Sequence, residues 1–138
     1  APFSVGINVT AATDAYKGYQ WEIEYPGSGL AFDGGVSEKT VATGLDTCAP
    51  AAVNGDATPI TPGDTVYGRG AGCITASPGV TTNYTGQTTT FNMHCLAAGT
   101  FSVQLVGAAQ DPLFGTSLLA QGGGALQTAT AAITITCA

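Results

Sequence analysis

The chain has 138 residues, a formal net charge of −6 and only three basic side chains, Lys17, Lys39 and Arg69. Binding phosphate takes a basic patch, so this balance argues against nucleic acid and equally against docking on anionic lipid. At 44% hydrophobic and 9% charged, the composition is that of a folding chain rather than a disordered one.

The length predicts one domain, 1–138, able to bury a core without a metal. No apolar run approaches the roughly 20 residues that span a bilayer, so membrane insertion of this segment is not expected. The chain opens on Ala1-Pro2, which reads as a mature form or an excised module.

Residues 3–10, FSVGINVT, alternate strictly, with Phe3, Val5, Ile7 and Val9 on the inner face of a first strand. A short link, 11–15, leads to a second strand, and neighbours joined this way suggest an antiparallel pair. In the second strand Tyr19, Trp21, Ile23 and Tyr25 share one face, and Gln20, Glu22 and Glu24 the other. An aromatic, β-branched row opposite a polar row predicts a half-buried strand with its acids in solvent. Pro26-Gly27-Ser28-Gly29 stops it.

Leu30 to Phe32 predicts a brief strand. Residues 33–63 read as mainly loop, with short strands possible at 36–41 and 51–53. In 64–76, Gly68, Gly70 and Gly72 alternate, which predicts a bulge or a close backbone approach. After a turn at 77–86, Thr89, Phe91, Met93 and Cys95 share a face, with Thr88, Thr90, Asn92 and His94 opposite. Phe101, Val103 and Leu105 point inward in the next strand. A connection over 107–127 offers Leu113, Phe114, Leu118 and Leu119 as anchors, and Ile133, Ile135 and Cys137 line the closing strand. Seven to nine strands with turn signals between them predict an all-β fold, an antiparallel jelly-roll β-sandwich.

The four cysteines, Cys48, Cys73, Cys95 and Cys137, include no C-x-x-C pair, and one histidine is a poor start for a zinc site. They predict two disulfides. Of three connectivities, Cys48–Cys73 closes a local loop, constraining the unfolded chain by roughly 3 kcal/mol, and Cys95–Cys137 joins two inward positions near strand ends. Such a disulfide-stapled chain belongs in an oxidising compartment, secreted or on a cell surface.

Candidate chemistry is sparse. His94, the single imidazole, sits on an outward strand face without a G-x-S-x-G, and no catalytic residue is assigned. Glu22 and Glu24 are two apart, roughly 7 Å along a strand, a spacing that glycoside hydrolysis can use but a solvated face shows more often. Asp33, Asp46, Asp56 and Asp64, with Asn54, are hard-oxygen donors in loops, so a loop calcium is the one cofactor to consider. Tyr16, Tyr67 and Tyr84 are better placed than Trp21 to form an exposed sugar platform. Asn8 and Asn83 begin N-x-T sequons and are glycosylation candidates.

The element order resembles that of the cohesin-like family, in the wider group of bacterial cellulose-binding β-sandwiches. In those domains an aromatic second strand, Y-x-hydrophobic-x-hydrophobic-x-Y, runs into a short strand ending L-x-F. Tyr19, Trp21, Ile23 and Tyr25, then Pro26, Leu30 and Phe32, match that pattern. Pro26-Gly27 stand where the family has Asp, and the four cysteines are not a general family feature. The resemblance implies a nine-stranded jelly roll and a non-catalytic binding or assembly role.

Two function classes follow. One is an extracellular structural or interaction module, a scaffold, adhesin or filament subunit, that self-associates or binds sister modules through strand edges. The other is a carbohydrate-binding module of a secreted polysaccharide-acting enzyme. In both, Trp21 is core. Trp21→Ala should therefore cost roughly 3–5 kcal/mol of stability in urea denaturation, and a folded variant that loses only a ligand would overturn this placement.

Overall fold

A computed structural model describes residues 1–12, 14–51, 66–75, 77, 80–109, 111, 115–121 and 124–138. Its strands are β1 (Pro2–Val9), β2 (Gly18–Pro26), β3 (Leu30–Glu38), β4 (Thr47–Ala51), β5 (Val66–Ile74), β6 (Gly86–Cys95), β7 (Gly99–Leu105), β8 (Ser117–Leu119), β9 (Ala125–Thr128) and β10 (Ala131–Cys137). One turn of helix, α1 (Thr40–Thr43), ends at Gly44 in the left-handed conformation.

The strands form two antiparallel sheets. One has the order β1-β6-β3. The other runs β10-β7-β2-β5-β4, with the β8–β9 hairpin attached to β2. The expected pairing of β1 with β2 does not occur. β1 pairs instead with β6, from Pro2↔His94 to Val9↔Gly86, and so lies in the opposite sheet. The link after β1 carries the chain across the sandwich rather than into a hairpin.

Residues 33–51 are also more regular than their composition suggests, and 52–63 lie outside the described residues. β3 continues through Glu38 because Asp33, Gly34 and Gly35 form an irregularity between Phe32↔Met93 and Val36↔Phe91. Gly34 has φ +79°, a value that suits glycine. β4 follows. The alternating glycines of β5 prove to be a close approach, not a bulge. The β2–β5 register is unbroken from Gly18↔Ile74 to Pro26↔Val66, and a Cβ on Gly72 would lie 2.6 Å from the Tyr19 carbonyl oxygen.

The core lies between the sheets. Tyr19, Trp21, Ile23 and Tyr25 face Val5, Leu30, Phe91 and Met93, and all are buried. Trp21 stacks on Phe91 with ring centroids 5.3 Å apart. Cys48–Cys73 joins directly opposed residues of β4 and β5 within one sheet. Cys95–Cys137 joins β6 to β10 and so ties the two sheets together.

The second bridge closes the longer loop, a sequence separation of 42 residues. Replacing Cys95 and Cys137 together by Ser should lower stability by about 4 kcal/mol in the chain-entropy account, read as a lower urea midpoint with Cys48–Cys73 intact.

Candidate interaction surfaces and buried acids

The inner face of β2 carries a polar chain through the apolar core. The Trp21 indole Nε1 donates to Thr89 Oγ1 at 3.0 Å, and Thr89 Oγ1 donates to Glu38 Oε2 at 2.6 Å. The Tyr19 hydroxyl bonds to the same Glu38 oxygen and lies 3.2 Å from Cys73 Sγ. Glu38 Oε1 is buried with no hydrogen-bond partner. Burial raises the Glu38 pKa, opposed by the hydrogen bonds from Thr89 and Tyr19. Burial first, and then the Glu38 contact, raise that of Tyr19.

The outer face of β2 corrects the sequence expectation. Glu22 is 3% exposed and Glu24 4%, so neither is a solvated acid. Opposite Gln20, Glu22 and Glu24 stand Gly72, Gly70 and Gly68, which offer no side chains to cover them. The connection after β7 does so. Val106 N–H donates to the Glu22 carbonyl at 2.9 Å, Glu22 N–H to Thr116 Oγ1 at 3.1 Å, and Gln20 Nε2 to the Gly115 carbonyl at 2.8 Å. The Glu22 carboxyl hydrogen-bonds Asp111 of the same connection. Burial, Asp111 and Glu24, in that order, push its pKa up to about 8. Glu22 therefore holds a proton at neutral pH, and its Oε2 is buried without a partner. The Glu22 carboxyl fastens the sheet to the connection, and Glu22 and Glu24, both buried, do not flank an open cleft as a glycosidase pair would.

The other candidates are scattered. His94 lies on the outward face of β6 and pairs with Asp33 of β3. Asp33 is thus engaged there, Asp46 is exposed, and Asn54, Asp56 and Asp64 lie outside the described residues. Among the described residues no three His, Cys, Asp or Glu side chains come together as a metal site.

Of the three tyrosines expected at the surface, Tyr16 is fully buried, its hydroxyl donating to the Tyr84 carbonyl at 2.7 Å. Its backbone is held in a bridge to Thr82. Tyr84 is half-buried and donates to the Gln87 carbonyl at 3.1 Å; the Tyr67 side chain lies outside the described residues. Thr88, expected outside, is buried, its hydroxyl donating to the Ile7 carbonyl at 3.3 Å. Leu118 is a buried anchor, whereas Leu113 and Phe114 are outside the described residues. Asn8 and Asn83 are exposed.

What remains open to a partner is sheet surface and strand edge. The outer face of β1-β6-β3 is polar, with Ser4 Oγ donating to Asn92 Oδ1 at 2.8 Å beside the Asp33–His94 pair.

No protein-family model matches the sequence, and no curated protein sequence does. Solved structures do match. The cohesin of a dockerin–cohesin complex superposes with a TM-score of 0.62 at 10% identity, covering 92% of this chain and 82% of that one. The sixth cohesin of scaffoldin B from Acetivibrio cellulolyticus, in complex with a Cel5 dockerin variant, gives 0.61 at 8% identity, over 94% and 86%. The second type II cohesin module of the ScaA adaptor scaffoldin from the same organism gives 0.55 at 15% identity, over 91% and 74%. The fold is cohesin-like.

Within this cohesin-like sandwich, the side chains that sequence reasoning missed are Glu38, Asp111 and Thr116. The available signal was a central strand with two acids, opposed by glycines and followed later by a long connection with something to cover.

The buried acids set a pH dependence. The folded pKa of Glu22, about 8, lies above the ordinary 4.5, so the folded state binds more protons across that window. Its contribution to stability is complete below the ordinary value and is lost as pH rises towards 8. Melting temperature should fall from pH 5 to pH 8, and Glu22→Gln should flatten that slope; an unchanged slope would separate Glu22 from the effect.

Proposed function

We propose that this chain is a non-catalytic extracellular interaction module, which self-associates or binds sister modules through its strand edges. One observation carries the reading: a cohesin-like fold extends over more than nine-tenths of the chain, while the two acids of its central strand, Glu22 and Glu24, are buried. Solved cohesins of this fold are found with dockerins, so the scaffold is one that protein partners use. Two disulfides and no free cysteine among the described residues support an oxidising, extracellular setting.

Catalysis has little to work with. His94 bonds Asp33 on an exposed face, and Glu22 is fastened to Asp111 beneath a connection. A carbohydrate-binding role loses support with Trp21 and Tyr16 both buried, since a sugar platform needs an exposed ring.

Size-exclusion chromatography with light scattering over a concentration series should show a mass above 13.7 kDa that rises with concentration. A monodisperse monomer at the highest concentration would count against self-association, leaving only a different module as partner.

A further inference from the structure

We propose that β10 is the edge at which two copies of this chain join, by antiparallel pairing of Ala131–Cys137 with itself about a two-fold axis centred on Thr134. The proposal rests on the self-association reading above and names its site.

Five described strands end a sheet or hairpin, and four carry something that obstructs an added strand. β1 contains Pro2 and Gly6 and a register break at Ile7/Asn8. β3 contains Asp33 and Glu38 and the break between Phe32 and Val36. β4 is five residues long and includes Pro50, and β9 is four residues long. Short length, proline, charge and bulges are the usual means of blocking edge pairing. β10 has none of them. It is seven residues long, its register with β7 is unbroken, and it contains no charge, proline or glycine. Among the described residues it pairs with β7 alone.

The inner face of β10 is also incompletely covered. Ile133 lies opposite Val103, which is 3% exposed in the core, so its side chain is on the core side; yet Ile133 is 45% exposed. A cavity of about 190 Å³ opens beside it, between β10 and the Val5 and Ile7 stretch of β1. An apolar residue on the core side with no cover marks a place for another strand.

A second copy fits that place by its own sequence. Pairing about Thr134 sets Ile133 against Ile135 of the second copy, twice by symmetry, and Ala131 against Cys137, so that all seven residues are matched. β-branched cross-strand pairs are the stabilising unit of a sheet, and this register places one on each exposed Ile133. Both strands are uncharged, so no like charges are opposed. A two-fold, isologous contact is self-limiting and closes at the dimer.

The test uses the full chain with both disulfides formed. Thr134→Cys should give a covalent dimer on mild oxidation, because directly opposed residues have Cα atoms about 4.5–5.5 Å apart, within disulfide range. Ser37→Cys on the β3 edge is the control and should not. Ile133→Lys, at a half-exposed position, should keep Trp21 fluorescence native and shift the dissociation midpoint at least tenfold toward monomer. Ser4→Lys, exposed on β1 and away from that cavity, should leave it unchanged. If wild type is monomeric throughout, self-association and this inference fall together. If wild type dimerises but Ile133→Lys does not weaken it, or Ser4→Lys does so instead, self-association stands and the β10 assignment is overturned.

Discussion

Trp21 joins the two sheets by both contacts available to an indole. Its ring stacks on Phe91 of β6, and its N–H donates to Thr89 two residues away on the same strand. The stack adds about 0.5–1.5 kcal/mol beyond the area buried. The hydrogen bond removes the penalty of about 1–3 kcal/mol that an unsatisfied buried N–H carries. Thr89 passes the polarity to Glu38, where Tyr19 also bonds, and Tyr19 touches Cys73. One side chain is thereby coupled to β3, β5 and β6, and through the disulfide to β4. The carboxyl at the end of this chain retains one oxygen without a partner, so the network is a compromise between specificity and desolvation.

The same strand must be covered on its other face. A central strand flanked by β5, β7 and β8 has little free edge, and the glycines of β5 leave a furrow beside Glu22 and Glu24. The chain fills it with the connection between β7 and β8, fastened by Thr116 to the Glu22 backbone and by Asp111 to the Glu22 carboxyl. Two carboxyl groups meeting in a buried place are compatible only if they share a proton. The raised Glu22 pKa is thus a consequence of covering β2 twice.

This explains how far the sequence could be read. Period-two alternation identifies which residues share a face, and it separated Trp21, Phe91 and Val103 correctly as core. It does not say what lies over the second face, so Glu22 and Glu24 looked solvated. Their cover comes from residues more than 80 positions later, through contacts that no local pattern announces. Sequence adjacency suggested that β1 pairs with β2, but a two-layer fold also permits consecutive strands to lie in opposite sheets, and it is β6 that receives β1. Tyr16 was hidden by a single bridge to Thr82. The irregularity in β3 was legible only as Asp33-Gly34-Gly35, which reads equally well as a loop.

Low charge then shapes the outside as well as the inside. Lysine is a common guard of sheet edges, yet Lys17 and Lys39 both lie outside the strands, and Arg69 is in β5, which is not a terminal strand of its sheet. The chain relies instead on proline, register breaks and short strands. Those devices spare β10, which the Cys95–Cys137 bridge holds to β6 at its end. A strand fastened covalently to its own sandwich cannot be donated to a neighbour, because exchange would require breaking the disulfide. It can still accept a strand along its free edge. The bridge that ties the sheets together thus opposes domain swapping by β10, while the outer edge of that strand has no partner among the described residues.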